Sequence, residues 1–418
     1  MPMHCSCFQV LVAALALVAG LQLLYLALLS GLHGQDQRSR YAELFQGRQR
    51  LPGDGHKERL KKVLASGGVL DASGQYRIYR DMLRGSWDGQ RGPDVVLVTH
   101  TSLGNLHHAQ RLAERWRGPV SVALFAPGSA EVRLATAMVY ALGALCAPAR
   151  QLVRLHLVCH ADQAAAFPEP ADGGEFARLQ SCADVFAKLV RVGAGRRNYA
   201  MEVANASYPN NLLRNVARGA AEGHWMLVVD MDMVPSEGLR EAFLALPRAA
   251  EEGTPGVFVV PAFEIRHTRR IPGTKAELLQ LYQVGEIRPF YEELCARCQA
   301  PTNYSHWLNL PTGGPLRVAY EVEWQDPWEP FYIGASSVPR YDERFKQYGF
   351  NRISQACELH VAGYRFSVLS NAFLVHKGFK VAGEFHAQKD AENQRNKVLF
   401  RQFKQELKTR YPDSLRRC

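Results

Sequence analysis

Two carboxylates at the end of an apolar stretch are the first residues with an evident chemistry. Asp230 and Asp232 directly follow the run Met-Leu-Val-Val at residues 226–229, which predicts a buried strand. Alternate side chains of a strand point to one side, which would place both carboxylates together with Cα atoms roughly 6–7 Å apart. Oxygen ligands at that spacing suit one hard divalent cation and a sugar hydroxyl. We therefore predict a metal site; the alternative is a solvated acid pair in a loop.

A second polar strand end offers further ligands. Residues 373–380 read FLVHKGFK, an apolar stretch closed by His376 and Lys377. Imidazole is a common metal ligand and an ammonium group suits phosphate, so we expect His376 at the cation and Lys377 or Lys380 at a phosphate. A structural role for the lone histidine remains the alternative.

A polar helix face precedes the two carboxylates. Pro209 is typical of a helix start, and the predicted helix extends to about residue 221. Its residues at i, i+3, i+4 and i+7 form one polar stripe: Asn211, Arg214, Asn215 and Arg218. This stripe is suited to holding the carboxylates or a diphosphate, or else it is an ordinary solvated face.

Alternating strands and helices must position these residues. The pattern predicts strands at residues 94–100, 120–125, 153–158 and 225–229, with helices between them at 106–116, 131–145 and 209–221. Such alternation is typical of a doubly wound α/β sheet, which binds ligands at the carboxyl ends of its strands. The polar residues that close the first strand are therefore candidate ligand contacts: Thr99, His100, Thr101 and Ser102.

The N-terminal part predicts a membrane anchor and a stem. Residues 8–29 are uncharged and, as a helix, long enough to cross a hydrocarbon core of about 30 Å. This length favours an uncleaved anchor over a signal peptide. We expect a cytoplasmic tail at 1–7, a polar stem at 30–92 and the catalytic domain at 93–418.

Two glycosylation sequons and seven cysteines follow the anchor and favour a lumenal, type II orientation. The sequons begin at Asn205 and Asn303. Seven is an odd number, so at least one thiol stays unpaired within the monomer. The pair Cys295 and Cys298 resembles half of a zinc site, but no second pair follows at ligand spacing, so a disulfide is favoured.

Composition and missing motifs exclude several classes. The 418 residues are 47% hydrophobic, which is globular composition, and carry a net charge of +10. That charge favours anionic partners, but the basic residues are interspersed with acidic ones, so we expect no nucleic-acid partner. The sequence has no Gly-x-Gly-x-x-Gly, Walker or Gly-x-Ser-x-Gly motif, the usual signals of dinucleotide oxidoreductases, P-loop ATPases and serine hydrolases.

Longer blocks carry a resemblance that single motifs do not. In chain order they read VDMDMVPS, VVPAFEIR, LYQVGEIRPF, PTNYS, WQDPWEPFY, YDERFKQYGFNRISQACEL and FLVHKGFK. Together they resemble glycosyltransferase family 49 and are similar to the glucuronyltransferase half of the LARGE glycosyltransferases. The resemblance extends over essentially the whole chain.

This resemblance implies a fold, a reaction and a compartment. It implies a GT-A fold in the Golgi membrane and inverting, Mn²⁺-dependent transfer of glucuronic acid from UDP-glucuronate. The implied acceptor is a terminal β-xylose, linked β1,4 in the product, on the O-mannosyl glycan of alpha-dystroglycan. The product would prime matriglycan extension by LARGE, which is an implied partner.

Residue roles carried over from the family are specific at the metal and open at the base. The resemblance implies Asp230, Asp232 and His376 as metal ligands and residues 99–102 at the uridine. Where many GT-A enzymes have Glu-Asp, this chain has Asn351-Arg352, which leaves three base candidates: Glu329, Asp342 and Glu358. We hypothesise that Arg352 pairs with the donor's carboxylate.

Two other functions stay open on sequence alone. One is a β-1,3-N-acetylglucosaminyltransferase acting on poly-lactosamine. The other is a non-catalytic, lectin-like Golgi protein that stabilises another transferase.

Overall fold

The computed structural model describes residues 55–87, 94–168, 179–194, 207–221, 224–246, 255–381 and 388–418, together with Gln22. Apart from Gln22, the predicted anchor at 8–29 lies outside these ranges, as do the predicted tail and Asn205. Within the described ranges, no helix has the length and apolar character needed to span a bilayer.

Helices and strands alternate along the first half of the described chain. The helices are α1 (Gly55–Ala65), α2 (His108–Trp116), α3 (Ser129–Leu145), α4 (Ala147–Leu152), α5 (Cys182–Ala194), α6 (Asn210–Arg218), α7 (Leu239–Leu244), α8 (Lys275–Gln283), α9 (Glu292–Cys295), α10 (Tyr304–Asn309), α11 (Asn351–Val361) and α12 (Lys389–Arg410). The strands are β1 (Val69–Leu70), β2 (Tyr76–Arg84), β3 (Val95–Ser102), β4 (Val120–Ala126), β5 (Val153–His160), β6 (Trp225–Val228), β7 (Met233–Pro235), β8 (Gly256–Val259), β9 (Ala262–Ile265), β10 (Ile287–Pro289), β11 (Val318–Val322), β12 (Tyr332–Ala335), β13 (Arg365–Leu369) and β14 (Leu374–Lys377).

Ten of these strands form one mixed sheet in the order β1-β2-β5-β4-β3-β6-β12-β8-β13-β11. Its centre, β5-β4-β3-β6, is parallel, whereas β2 and β12 flank the centre in antiparallel pairing. The predicted strands at 94–100, 120–125, 153–158 and 225–229 correspond to this parallel centre. The mixed α/β class is therefore confirmed.

Apolar side chains cover both faces of the sheet. On β3, Val95 and Leu97 point into one apolar cluster, while Val96 and Val98 point into the other, and all four are at most 1% exposed. Helices α2, α3 and α5 bury residues in the first cluster, and α6 and α11 in the second. Burial on both faces explains why β3 reads as a continuous apolar run instead of an alternating one.

The second sheet is small and has four strands in the order β10-β9-β14-β7. Strand β7 begins at Met233, one residue after Asp232, and pairs antiparallel with β14. In that register His376 lies opposite Met233. Backbone pairing alone therefore brings the histidine next to the acidic turn.

The folded body begins before residue 93, where the sequence predicted that the catalytic domain starts. Residues 55–87, predicted as stem, contain α1 and the first two strands, and β2 pairs antiparallel with β5 inside the large sheet. Helix α1 (Gly55–Ala65) buries Leu60 and Leu64 in the core. Because polar, turn-rich stretches flank this segment, composition predicted a stem. Its long-range pairing nevertheless makes it part of the sheet.

Three disulfides join described cysteines: Cys146–Cys182, Cys295–Cys298 and Cys357–Cys418. Cys159 is buried and unpaired, which accounts for the odd thiol expected from the count. Cys295 and Cys298 form a disulfide with each other, as the sequence favoured over a zinc site.

A cavity-forming substitution tests whether α1 belongs to the body. Leu60 is fully buried, so Leu60→Ala is expected to lower the free energy of unfolding by about 2–5 kcal/mol. Thermal or urea unfolding measures the change, and Lys62→Ala on the exposed side of the same helix is the matched control. Equal stability of the two variants would mean that α1 does not pack in the core.

Candidate active site

A cavity of about 800 Å³ opens at the carboxyl ends of β3, β6 and β14. Its lining includes His100 and Ser102 from β3, Asp230 and Asp232 after β6, and His376 on β14. The cavity thus lies where a parallel α/β sheet is expected to bind its ligand. It brings together strand ends that are far apart in the sequence.

Asp230 has positively charged partners from two helices. Its Oδ1 accepts from the Arg214 guanidinium at 3.2 Å, and its Oδ2 accepts from the Arg352 guanidinium at 3.0 Å. The His100 Nε2 atom is 3.5 Å from Oδ1. Burial alone would raise the pKa of Asp230, but the Arg352 charge, the contact with His100 and the Arg214 charge hold it well below its usual range. Asp230 is therefore a permanent anion.

His100 has a second neighbour that fixes its ring. The Tyr208 hydroxyl is 2.8 Å from its Nδ1 atom. Burial lowers the pKa of His100, so the imidazole is neutral near pH 7 and contacts Asp230 without contributing a full charge.

Asp232 and His376 form the second pair of the cavity. The His376 Nε2 atom is 3.1 Å from Asp232 Oδ2, and Nδ1 donates to the Gly378 carbonyl at 2.8 Å. This second bond fixes the ring and directs Nε2 at the carboxylate. Two cis ligands of an octahedral ion with bonds of about 2.1 Å are about 3 Å apart, so these two donor atoms fit one divalent cation. Desolvation raises the pKa of Asp232, but the contact with His376, together with the Lys380 charge, outweighs this effect and lowers the pKa.

The carboxylates are not presented as alternate residues of one strand. Strand β6 ends at Val228, and the Met233 N–H donates to the Asp230 carbonyl at 3.0 Å, closing a turn. The reason is that the chain leaves the large sheet here and enters β7 of the small sheet. The turn directs Asp230 toward the arginines and Asp232 toward His376.

The polar stripe of α6 is buried rather than solvated. Asn211 donates to the Asp342 and Asn351 carbonyls, and Asn215 donates to the Tyr341 carbonyl at 2.8 Å. Arg218 donates to three further carbonyls, those of Ser336, Val338 and Pro339. Only Arg214 of the stripe reaches a carboxylate of the pair. The other three hold residues 336–351 against α6.

The three base candidates have separate environments. Glu329 lines the cavity, whereas Asp342 is paired with Arg344, and Glu358 accepts from Arg410 and from the Tyr411 hydroxyl. Asp342 and Glu358 line a different cavity of about 640 Å³. Of the three, Glu329 alone shares the cavity with Asp230 and Asp232.

Arg352 lies between Asp230 and Glu329. Its Nε atom is 3.8 Å from Glu329 Oε2, and its guanidinium stacks 4.1 Å from the Phe331 ring centre. Burial raises the pKa of Glu329, and the Arg352 charge opposes that rise. Arg352 is thus engaged with protein carboxylates, whereas the sequence hypothesis assigned it to the donor's carboxylate.

Two other residues that the sequence predicted as ligand contacts do not line the cavity. Thr99 is fully buried and does not line the cavity, and Lys377 does not line it either. Lys380, the alternative to Lys377, does line it, and its charge contributes to the low pKa of Asp232. On β3 the lining begins one residue later, with His100, Thr101 and Ser102, and on β14 it includes His376 but not the next residue.

The cavity wall is polar and has an excess of positive charge. Eight lysines and arginines line it against five aspartates and glutamates. Five buried polar atoms of its lining have no hydrogen-bond partner: His100 Nε2, Ser102 Oγ, Asn210 Oδ1, Gln347 Oε1 and Arg352 Nε. Since buried polar groups are normally paired, these atoms suit a polar ligand, and the excess of positive charge suits an anionic one.

One wall of the cavity was not predicted from the sequence. Helix α12 contributes a basic face with spacings of eight, four and three residues: Lys389, Lys397, Arg401 and Lys404. The helical period of these residues was available in the sequence. Nothing local, however, indicated that this C-terminal helix returns to the carboxylates.

Of the two sequons, only the one at Asn303 lies in the described chain. Asn303 is exposed and precedes α10, with Oδ1 accepting from the His306 N–H at 3.2 Å. Its exposure is compatible with modification.

Comparison with known proteins identifies the family. Residues 94–412 match the model of a family described as glycosyl-transferase for dystroglycan. The chain belongs to this family. The match begins at the residue before β3 and so leaves out α1, β1 and β2.

Full-length relatives within the family share one name. The chain is 54% identical over 429 residues to beta-1,4-glucuronyltransferase 1 of Danio rerio, covering 99% of both chains. It is 57% identical over 415 residues to beta-1,4-glucuronyltransferase 1 of Homo sapiens, covering 99% of this chain and 98% of that protein.

More distant matches are partial. Xylosyl- and glucuronyltransferase LARGE1 of Homo sapiens is 28% identical over 327 residues, which cover 76% of this chain and 36% of that protein. The solved structure of S. aureus TarS 1–349 aligns with a TM-score of 0.31 and 13% identity, covering 68% of this chain and 60% of that chain. A likeness at that TM-score carries no argument.

The buried stripe of α6 leads to a prediction about stability and activity together. Asn215→Ala removes hydrogen bonds to Tyr341 and Glu343 and leaves a buried carbonyl unpaired. We expect a loss of about 1–3 kcal/mol in the free energy of unfolding, with lower catalytic activity, because the same segment leads into Arg352. Chemical denaturation and initial rates measure the two effects.

An exposed asparagine serves as the matched control. Asn309→Ala removes a single bond to the Ser305 carbonyl on the surface and should leave both quantities unchanged. If Asn215→Ala behaves like Asn309→Ala, the stripe does not stabilise the segment.

Proposed function

We propose that this chain transfers glucuronic acid from UDP-glucuronate to a terminal β-xylose in β1,4 linkage, with inversion at the anomeric carbon. The observation that carries the proposal is the 54–57% identity, over 98–99% of their length, to proteins named beta-1,4-glucuronyltransferase 1. The cavity supports it, since a positively charged, polar wall suits an anionic sugar nucleotide.

The acceptor proposal rests on the family. Its description as glycosyl-transferase for dystroglycan supports the O-mannosyl glycan of alpha-dystroglycan as the carrier of the xylose. The product would be the primer that a LARGE enzyme extends into matriglycan, and the likeness to LARGE1 supports a related chemistry on the same glycan.

We further propose a GT-A fold and a Golgi location. The parallel centre β5-β4-β3-β6, with an acidic turn directly after β6, supports the GT-A assignment. Three disulfides support a body in an oxidising lumen, where an N-terminal anchor would hold it as a type II protein.

Glu329 acts as the general base in this proposal. Its carboxylate takes the proton of the acceptor hydroxyl while that oxygen bonds to the anomeric carbon of glucuronate. The bond from that carbon to the diphosphate oxygen breaks, and its electron pair leaves with UDP. Burial of Glu329 raises its pKa, which strengthens it as a base, and the Arg352 charge opposes that rise.

Asp232 and His376 would hold Mn²⁺. No group of three or more His, Cys, Asp and Glu side chains in the described ranges could hold an ion alone, so ligands from the donor would complete the shell. A bound divalent cation supplies positive charge beside the leaving diphosphate. Asp230, neutralised by Arg214 and Arg352, would then orient those arginines more than bind the ion.

A donor panel tests the function. With Mn²⁺ and a β-xyloside acceptor, the protein is expected to transfer sugar from UDP-glucuronate alone among UDP-sugars. Chelation by EDTA should abolish transfer and Mn²⁺ should restore it. Asp232→Asn should lose transfer, whereas Asp326→Asn, at another carboxylate of the cavity lining, should retain most of it.

Other outcomes of this panel would replace the proposal. Transfer only from UDP-N-acetylglucosamine to a lactosamine acceptor would support the second enzyme function. Absence of transfer from every donor, by a protein that unfolds cooperatively, would support a binding role.

The base assignment gives a pH prediction. Since burial raises the pKa of Glu329, kcat should fall as pH decreases through that raised pKa, where the base becomes protonated and inactive. Glu329→Gln is expected to lower kcat by about 10²–10⁴-fold and to remove this acid limb. Asp342→Asn, at a carboxylate paired with Arg344 outside the cavity, should keep both kcat and the limb. A pH profile of kcat for the three proteins decides between the candidates.

A further inference from the structure

A short disulfide loop lies in the wall of the cavity and contacts the proposed base. Cys295 and Cys298 are bonded to each other across three positions of sequence, and both line the cavity. Their loop follows Tyr291, whose carbonyl accepts from the Cys295 N–H at 2.8 Å. The proposed mechanism assigns this loop no role.

The loop holds the main chain of Glu329 from both sides. The Glu329 N–H donates to the Cys298 carbonyl at 3.0 Å, and the Glu329 carbonyl accepts from Gln299 Nε2 at 3.3 Å. Gln299 is 3% exposed, so this side-chain bond is shielded from water. The N–H and the carbonyl of Glu329 are therefore held by two consecutive residues, Cys298 of the loop and Gln299 directly after it.

A third bond holds the residue before the base. The fully buried Trp328 donates from Nε1 to Thr302 Oγ1 at 3.0 Å, four residues after Cys298. Residues 328 and 329 thus have three anchors within residues 298–302. With the main chain held in this way, the Glu329 carboxylate stays beside Arg352.

The disulfide contributes less to global stability than the longer bridges do. In the chain-entropy model, stabilisation grows with the number of residues that a bridge encloses. Cys295–Cys298 spans a sequence separation of 3, against 36 for Cys146–Cys182 and 61 for Cys357–Cys418. Its effect is therefore local, on the shape of the loop that contacts Glu329.

We propose that the Cys295–Cys298 loop, with Gln299, is a positioning element for the base. The disulfide restricts the conformation of the loop, and the loop holds the Glu329 main chain where the carboxylate can take the acceptor's proton. This proposal rests on the proposed function, in which Glu329 takes the acceptor's proton. Cys295, Cys298 and Gln299 act through Glu329 and need not touch substrate.

The first test compares two disulfides in the full chain. Cys295→Ala/Cys298→Ala is expected to lower kcat about tenfold while the KM for UDP-glucuronate changes by less than about twofold. Its acid limb should move to higher pH, because a looser Glu329 is farther from the Arg352 charge that lowers its pKa. Cys146→Ala/Cys182→Ala is the matched control: it should lower the unfolding temperature more, yet leave kcat and the limb unchanged.

A second variant leaves the bridge intact. Gln299→Ala removes the bond to the Glu329 carbonyl and should lower kcat in the same direction, by a smaller factor. In a Glu329→Gln background, neither loop variant should lower the residual activity further, since both act through the same carboxylate.

Each outcome separates the loop from the base. Unchanged kcat in both loop variants, with activity lost in Glu329→Gln, would overturn the loop proposal and leave the base in place. Parallel loss of kcat and stability, with a rise in donor KM, would reduce the loop to a structural role. Full activity of Glu329→Gln would overturn the base assignment itself, and lower kcat of the loop variants in that background would show that the loop acts on another group.

Discussion

A single partly buried carboxylate, Asp230, connects the elements that build the cavity. It follows β6, one of the central parallel strands, and accepts hydrogen bonds from Arg214 on α6 and from Arg352 on α11. Removing a charge from water is costly unless it is paired, and the two guanidinium groups compensate for this cost. The positions of both helices over the sheet are therefore tied to one carboxylate, and the cavity takes its shape from this arrangement.

The same constraint extends from Asp230 to the rest of the wall. Arg214 also donates to the Asn351 side chain at 2.8 Å, so α6 contacts the first residue of α11 directly. The asparagines of α6 hold the segment before Asn351, and Arg352 reaches onward to Glu329. A buried polar network of this kind stabilises the fold only if each of its members has its hydrogen-bond partners. This explains why α6 is polar on a face that is buried.

Local patterns predicted the centre of the site, because the carboxyl ends of parallel strands meet in space. Asp230, Asp232 and His376 were found in this way, and the helical period found Arg214. Predictions that depended on long-range pairing were less successful. Residues 55–87 looked like a stem, since their contact with β5 leaves no local signal.

The choice among base candidates also required the fold. The local sequence around Glu329, Asp342 and Glu358 does not rank them as bases, and only their arginine partners and cavities separate them. The basic face of α12 had a recognisable period, but its position in the cavity wall depends on contacts between distant parts of the described chain. Tertiary contacts, which no short window contains, decided both cases.

The pairing of β7 with β14 has a consequence for how this chain can vary in length. Met233 lies opposite His376 in that ladder, so the register of the two strands sets the distance from Asp232 to the imidazole. One residue inserted into or deleted from β14 before His376 would turn that side chain to the opposite face of the small sheet, and one in β7 would shift Asp232 out of register with it. Tolerance of insertions should therefore be lowest in these two short strands, whereas the exposed turn at Gly313 and Gly314 can accept added residues without disturbing the cavity.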